Sequence, residues 1–157
     1  MRNVLPFHAT VLIGLSLYPK TTADLKRPAI VDVKPPAPDV RVAKLEAFFN
    51  SYHCPSPLYI SEYLGAADRY NIDYRLLPAL SVLESTCCLH HIRNNHWGWD
   101  SARTGFESVP SGIDFVARQL AQGRYYRGKT LDEKLRAYNP NPQYVREVKQ
   151  LMLKIDS

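Results

Sequence analysis

The segment Leu80-Ser81-Val82-Leu83-Glu84-Ser85-Thr86-Cys87-Cys88-Leu89-His90-His91 sets one carboxylate in an apolar run and follows it with two cysteines and two histidines. Glu84 falls near the end of a helix whose other residues should face a core. A carboxylate there loses hydration, which raises its pKa, and the negative end of the helix dipole pushes the same way. A carboxyl kept protonated near neutral pH is what a general acid for glycosidic cleavage requires. An isolated Glu on a helix is ordinarily a solvated surface residue, so its neighbours decide the reading. Asn94-Asn95 and then Trp97-Gly98-Trp99 follow in the next loop. Flat indoles stack on the apolar faces of sugar rings, and asparagines hydrogen-bond hydroxyl and acetamido groups. The same tryptophans would equally plug the core beneath a polar loop. Tyr138-Asn139 offers a phenol that can hold a carboxyl in place or serve as a core tyrosine.

Cys87, Cys88, His90, His91 and His96 are of metal-ligating types, but their spacing fits no common zinc pattern. Adjacent cysteines rarely reach one tetrahedral ion together. No metal and no cofactor is expected. In an exported chain a disulfide is the better use of these residues, Cys54 pairing with Cys87 or with Cys88 and one thiol being left over.

The elements that must position these groups read as helices. Val42, Leu45, Phe48, Phe49 and Tyr52 recur at helical spacing, and Cys54-Pro55-Ser56-Pro57 ends that helix. Ile60, Tyr63, Leu64, Ala67 and Tyr70 mark a second, ending at Asn71. Asp73 is placed to cap a third over 74–86, with Pro78 early enough in it to cost little. Residues 89–107 lack periodicity and form a long loop, a feature usually tied to function, with room for a short hairpin. A fourth helix spans 110–121, with Gly123 just past its end. Thr130-Leu131-Asp132-Glu133 has capping-box spacing and opens a fifth. Asn141-Pro142 is a cap followed by proline at the first helical position. The last helix shows Val145, Val148, Leu151, Met152 and Ile155 on one side. The fold class is all-α, a compact helical domain over 40–157.

The 157 residues suit one domain with a real core. Residues 1–23, with Arg2 and a short apolar run over 11–18, have the pattern of a secretory signal cut after Ala23. The run is too short to span a membrane comfortably. Residues 24–39 hold Pro28, Pro35, Pro36 and Pro38 and read as a linker. The chain is expected outside the cytoplasm, periplasmic or secreted. Loss of Arg2 and Lys20 with the signal would lower the net charge from +5 to +3. That suits an acidic polymer such as a cell wall. It is too little, and too unclustered, for a nucleic-acid binder; Arg124-Tyr125-Tyr126-Arg127-Gly128-Lys129 is the nearest to a basic stripe.

Taken in order, these features resemble the lysozyme-like family of lytic transglycosylases and cell-wall glucosaminidases over residues 48–153. Phe48-Phe49 and Ser56-Pro57-Leu58 are similar to the start of such domains. Ala67-Asp68-Arg69-Tyr70-Asn71-Ile72-Asp73-Tyr74-Arg75-Leu76-Leu77-Pro78-Ala79 resembles the helix that leads to their active site. Glu84-Ser85 falls at their catalytic Glu-Ser pair, Asn95-His96-Trp97-Gly98-Trp99 at their aromatic-Gly loop, and Ala137-Tyr138-Asn139 with Tyr144-Val145 and Val148 at their Tyr-Asn motif and following helix. The chain departs from many relatives in having Trp-Gly-Trp in place of Gly-Leu-Met-Gln, and Pro140-Asn141 in place of Ala-Gly. The resemblance implies a lysozyme-like fold and cleavage of the MurNAc–GlcNAc strands of peptidoglycan, with Glu84 as acid/base. Ser85 and Tyr138 would orient the acid or an acetamido group, and Asn95, Trp97, Trp99 and Asn139 would contact substrate. Asp100 and Asp114 are the nearest second carboxylates, neither in a recognisable motif. Two-carboxylate glycosidases need a fixed spacing, whereas a lytic transglycosylase needs one acid/base, which favours the lytic reaction. The rival expectation is a module with the same groove that binds cell-wall glycan without cutting it.

Overall fold

The computed structural model describes residues 37–157 apart from Cys87, Cys88 and His91. Residues 1–36, which take in the segment read as a signal and most of that read as a linker, lie outside the described residues. Six α-helices follow in order: α1 (Val40–Ser51), α2 (Ile60–Tyr70), α3 (Leu76–Ser85), α4 (Val109–Gln122), α5 (Leu131–Tyr138) and α6 (Pro142–Ile155). The domain is all-α, and no strand occurs among the described residues. In place of the hairpin allowed for in the long loop there is one isolated bridge, Ile92 to Asn95. No described helix is long and apolar enough to cross a membrane.

Local chemistry sets most of the boundaries. Asp39 caps α1 by accepting from the Arg41 N–H at 2.9 Å. Ser108 and Ser111 form a reciprocal capping box at α4, and Thr130 and Glu133 form another at α5. The Asn141 side chain accepts from the Gln143 N–H, with Pro142 at the first helical position. Gly123 ends α4 because of a close approach: a Cβ there would lie 2.5 Å from the Gln119 carbonyl oxygen.

Helix α3 starts two residues later than its pattern suggests. Asp73 does not cap it. Its carboxylate instead binds the backbone and guanidinium of Arg75, leaving Tyr74 and Arg75 in a turn. Pro78 therefore sits in the first turn, where its missing N–H costs no helical bond.

Helix α3 is the central element. It packs on α6 and α4, while α2 packs on α4 and α1 bridges α2 and α6. Leu76, Leu77, Ala79 and Leu80 are buried against Leu45, Ile113 and Val148. Each fully buried aliphatic side chain contributes about 1.5–3 kcal/mol, so α3 is fixed firmly in place. The one charged residue within it is Glu84.

Candidate active site

Glu84 lies in the last turn of α3, which Thr86 closes in a left-handed conformation. The residue is exposed because it borders an open cleft of about 560 Å³, shared with Gly98, Trp99, Asp100, Tyr125, Tyr126, Tyr138 and Asn139. Its carboxyl is nonetheless set into the wall. Oε1 accepts from the Tyr144 hydroxyl at 2.5 Å. Oε2 lies 2.8 Å from where a Cβ on residue 98 would stand. Gly98 is therefore required twice, by its φ of +59° and by this contact.

Burial raises the Glu84 pKa above the usual carboxylate value, and the Tyr144 hydrogen bond opposes the rise in part. Among the described residues no cation pairs with Glu84. Burial and the neighbouring carboxylate push the Tyr144 phenol far up, so it remains a donor at any physiological pH. Tyr138 stacks on Tyr144 with ring centroids 6.0 Å apart and planes within 9°. Its phenol is also pushed up, first by burial and then by Glu84. Its hydroxyl donates to the Trp97 carbonyl and so ties α5 to the loop that carries Gly98.

Several residues expected to meet substrate do other work. Trp97 is fully buried; its Nε1–H donates to the Leu77 carbonyl at 3.3 Å. Tyr63 and Phe106 meet the indole edge-on, and it leaves room for no Cβ at Gly112 of α4. It is a core plug, not a sugar platform. Asn95 is also buried. Its amide donates to the carbonyls of Trp99 and Thr104, and its Oδ1 accepts from the N–H groups of Trp97 and Trp99. It shapes the loop and does not line the cleft. Ser85 is buried too, its hydroxyl donating to the Ser81 carbonyl at 2.9 Å. Trp99, by contrast, reaches the cleft, packed against Phe115, Tyr126 and Tyr138. Asn139 reaches it as well, while its Oδ1 accepts from the Asn141 N–H.

The residue that grips Glu84 is Tyr144, not Tyr138. In the sequence Tyr144 stands one residue before Val145 and four before Val148, outside the stripe read for the last helix and named only in the segment that follows the Tyr-Asn motif. Nothing in the pattern marks its hydroxyl as the part that matters.

The two possible second carboxylates separate clearly. Asp100 borders the cleft, and Arg103 and Thr104 hold its pKa below the ordinary value. Asp114 lies on the α2–α4 face, bound to Arg69 and Tyr70, and does not border the cleft. Asp100, Ser101 and Ala102 all have positive φ, a left-handed turn among non-glycine residues. Such backbone is costly and concentrates at functional sites.

Cys54 is disulfide-bonded; the candidate partners Cys87 and Cys88 lie outside the described residues. Among the described residues no group of three or more His, Cys, Asp or Glu is placed to hold a metal. His90 is exposed, and His96 is buried with its ring stacked on Trp97.

No family model matches the sequence, and no curated protein matches it.

Proposed function

We propose that this protein is an exported enzyme that cleaves the MurNAc–GlcNAc glycan strand of peptidoglycan, with Glu84 as its acid/base. The observation that carries the reading is Glu84 itself. It is a carboxyl with a raised pKa and no cationic partner among the described residues, held by a phenol at the edge of an aromatic-lined cleft. Carboxyls so arranged act as general acids in glycoside cleavage.

In the lytic route, protonated Glu84 gives its proton to the bridging oxygen as the C1–O bond breaks. The resulting carboxylate then takes the proton of the same sugar's 6-hydroxyl as that oxygen bonds C1. The product is a 1,6-anhydro end, and Glu84 is returned protonated without water. Tyr144 fixes one carboxyl oxygen throughout and, with its own pKa pushed up, does not compete for the proton. Trp99, half-buried but bordering the cleft, supplies the indole for a sugar face. Asp100, ionised and on the same cleft, favours a second reading, hydrolysis through a pair of carboxylates with separated pKa values.

Digestion of purified peptidoglycan by the protein and by Glu84→Gln, read by mass spectrometry, tests this. Anhydro-muropeptides from the wild type alone would support the lytic reaction. Reducing-end products lost in both Glu84→Gln and Asp100→Asn would move the assignment to hydrolysis. Binding to the wall with no product from either protein would leave a glycan-binding module and end the enzyme reading.

A further inference from the structure

Residues 123–129, Gly-Arg-Tyr-Tyr-Arg-Gly-Lys, join α4 to α5 and contain three cations and no acid. The structure brings the middle of this run to the cleft, where Tyr125 and Tyr126 lie on the same lining as Glu84. The run is tightly wound: the N–H groups of Tyr126 and Arg127 both donate to the Gly123 carbonyl, at 2.8 and 2.9 Å. Tyr126 anchors it by packing on Trp99 with centroids 5.8 Å apart. Tyr125 is 61% exposed. The Arg124 guanidinium lies 4.5 Å from its ring centroid and donates to its hydroxyl.

Arg124, Arg127 and Lys129 are exposed, and among the described residues none of them forms an ion pair. The acids near them are engaged elsewhere. Glu133, which feels the charge of Lys129, caps α5 through Thr130. Asp100, across the cleft, is held by Arg103.

The charge of this run also exceeds the net charge of the domain. Residues 1–36 take 5 of the chain's 20 Lys and Arg and 2 of its 15 Asp and Glu. That leaves 15 against 13 for residues 37–157, a net +2. The three cations of this lip exceed that total, so the rest of the domain is slightly acidic, at −1. Three cations with no acid among them, on a run whose two tyrosines border the cleft, attract anions to that side of it.

We propose that this lip binds carboxylates carried on the branches of the glycan in the cleft, so that the protein selects acidic strands over neutral ones of the same backbone. The inference rests on the glycan reading above. The carboxylates have two sources in such a strand, the lactyl ether of the sugar itself or the peptides attached to it.

The full chain carrying Glu84→Gln, which binds without cutting, provides the test. Its affinity is measured for three probes at low and high salt: neutral N-acetylglucosamine oligomers, peptidoglycan strands stripped of peptide, and strands that retain it. The same is done with Arg127→Gln and Lys129→Gln added together, which leaves the Arg124–Tyr125 contact untouched. The expected result is a roughly tenfold loss for acidic strands, removed by salt, with less than a twofold change for neutral oligomers. Loss on stripped strands assigns the lactyl carboxylate, and loss on peptide-bearing strands alone assigns the peptide. Equal loss on all three probes, or none, overturns the proposal while leaving the glycan reading intact. An oligonucleotide bound as tightly as the acidic strands, and as dependent on Arg127 and Lys129, also overturns it. Failure of the Glu84→Gln protein to bind any of the three glycans removes the underlying reading and the proposal with it.

Discussion

The two ends of one antiparallel helix pair, α3 and α6, treat their carboxylates in opposite ways. Where α3 begins and α6 ends, Asp156 accepts from Lys44, Tyr74 and Arg75, and Arg75 also binds Asp73. These partners hold the Asp156 pKa down to about 2, chiefly through Lys44 and then Tyr74. Where α3 ends and α6 begins, Glu84 has a phenol and no cation, and its pKa moves up. The first arrangement fixes charge in place and fastens the helices. The second keeps a proton available at a cleft. A carboxylate surrounded by cations is cheap to keep ionised and useless as an acid; one given only a neutral donor is the reverse.

Exchanging chemistry at the Glu84 end should have the largest effect. Glu84→Gln is expected to lower turnover on peptidoglycan by about 10²–10⁴-fold, the range for loss of a general acid. Stability should move the other way. Because the folded pKa of Glu84 is raised, its contribution is full below the unfolded value and is lost as pH rises through the folded one. A neutral amide escapes that loss, so Glu84→Gln should melt no lower than wild type at neutral pH. A clear fall in melting temperature would mean that Glu84 is a structural anchor like Asp156, and the contrast would collapse.

Gly98→Ala comes next. The left-handed φ costs a residue with a Cβ about 1–2 kcal/mol, and that Cβ would press on Oε2 of Glu84. The expected outcome is a moderate loss of stability with a larger loss of turnover, measured on the same preparation. Loss of stability with turnover per folded molecule unchanged would show that the carboxyl position is not critical. Tyr144→Phe sharpens the point. It removes the one interaction that lowers the Glu84 pKa, so the alkaline limb of the activity profile should move to higher pH. Stability should fall by about 1 kcal/mol. An alkaline limb that stays in place would dissociate it from Glu84.

The helices were legible because their signals are local. The capping box at Thr130, the Asn141-Pro142 start and the stripe of α6 need only neighbours in sequence. The start of α3 was misread because Asp73 had a competing partner, Arg75, two residues away. Glu84 was legible only as a candidate, because an isolated Glu on a helix is ordinarily a solvated surface residue and its neighbours had to single it out. Its surroundings were not. Trp97 and Trp99 are the same residue type two positions apart, and only the packing of α2 and α4 around one of them decides which is core. Asn95 looked like a sugar contact because its amide can do either task; four loop bonds consume it. Tyr144 was hidden because its ring belongs to the core and only its hydroxyl to the site.

The smallest expected effect lies at the other end of the pair. Asp156→Asn removes the shared acceptor of Lys44, Tyr74 and Arg75 but leaves Arg75 its bonds to Asp73. The depressed pKa of Asp156 means that its contribution is present above the ordinary carboxylate range and is lost as pH falls through about 2. The variant should therefore melt slightly lower than wild type at neutral pH, and the gap should close in strong acid and in high salt. Turnover should be unchanged, because the residue lies at the far end of α6 from Tyr144. A gap that persists through acid would show that the Asp156 side chain acts by packing and not by charge. A drop in turnover would show that the two ends of α3 and α6 are coupled, and that the site depends on the clamp opposite it.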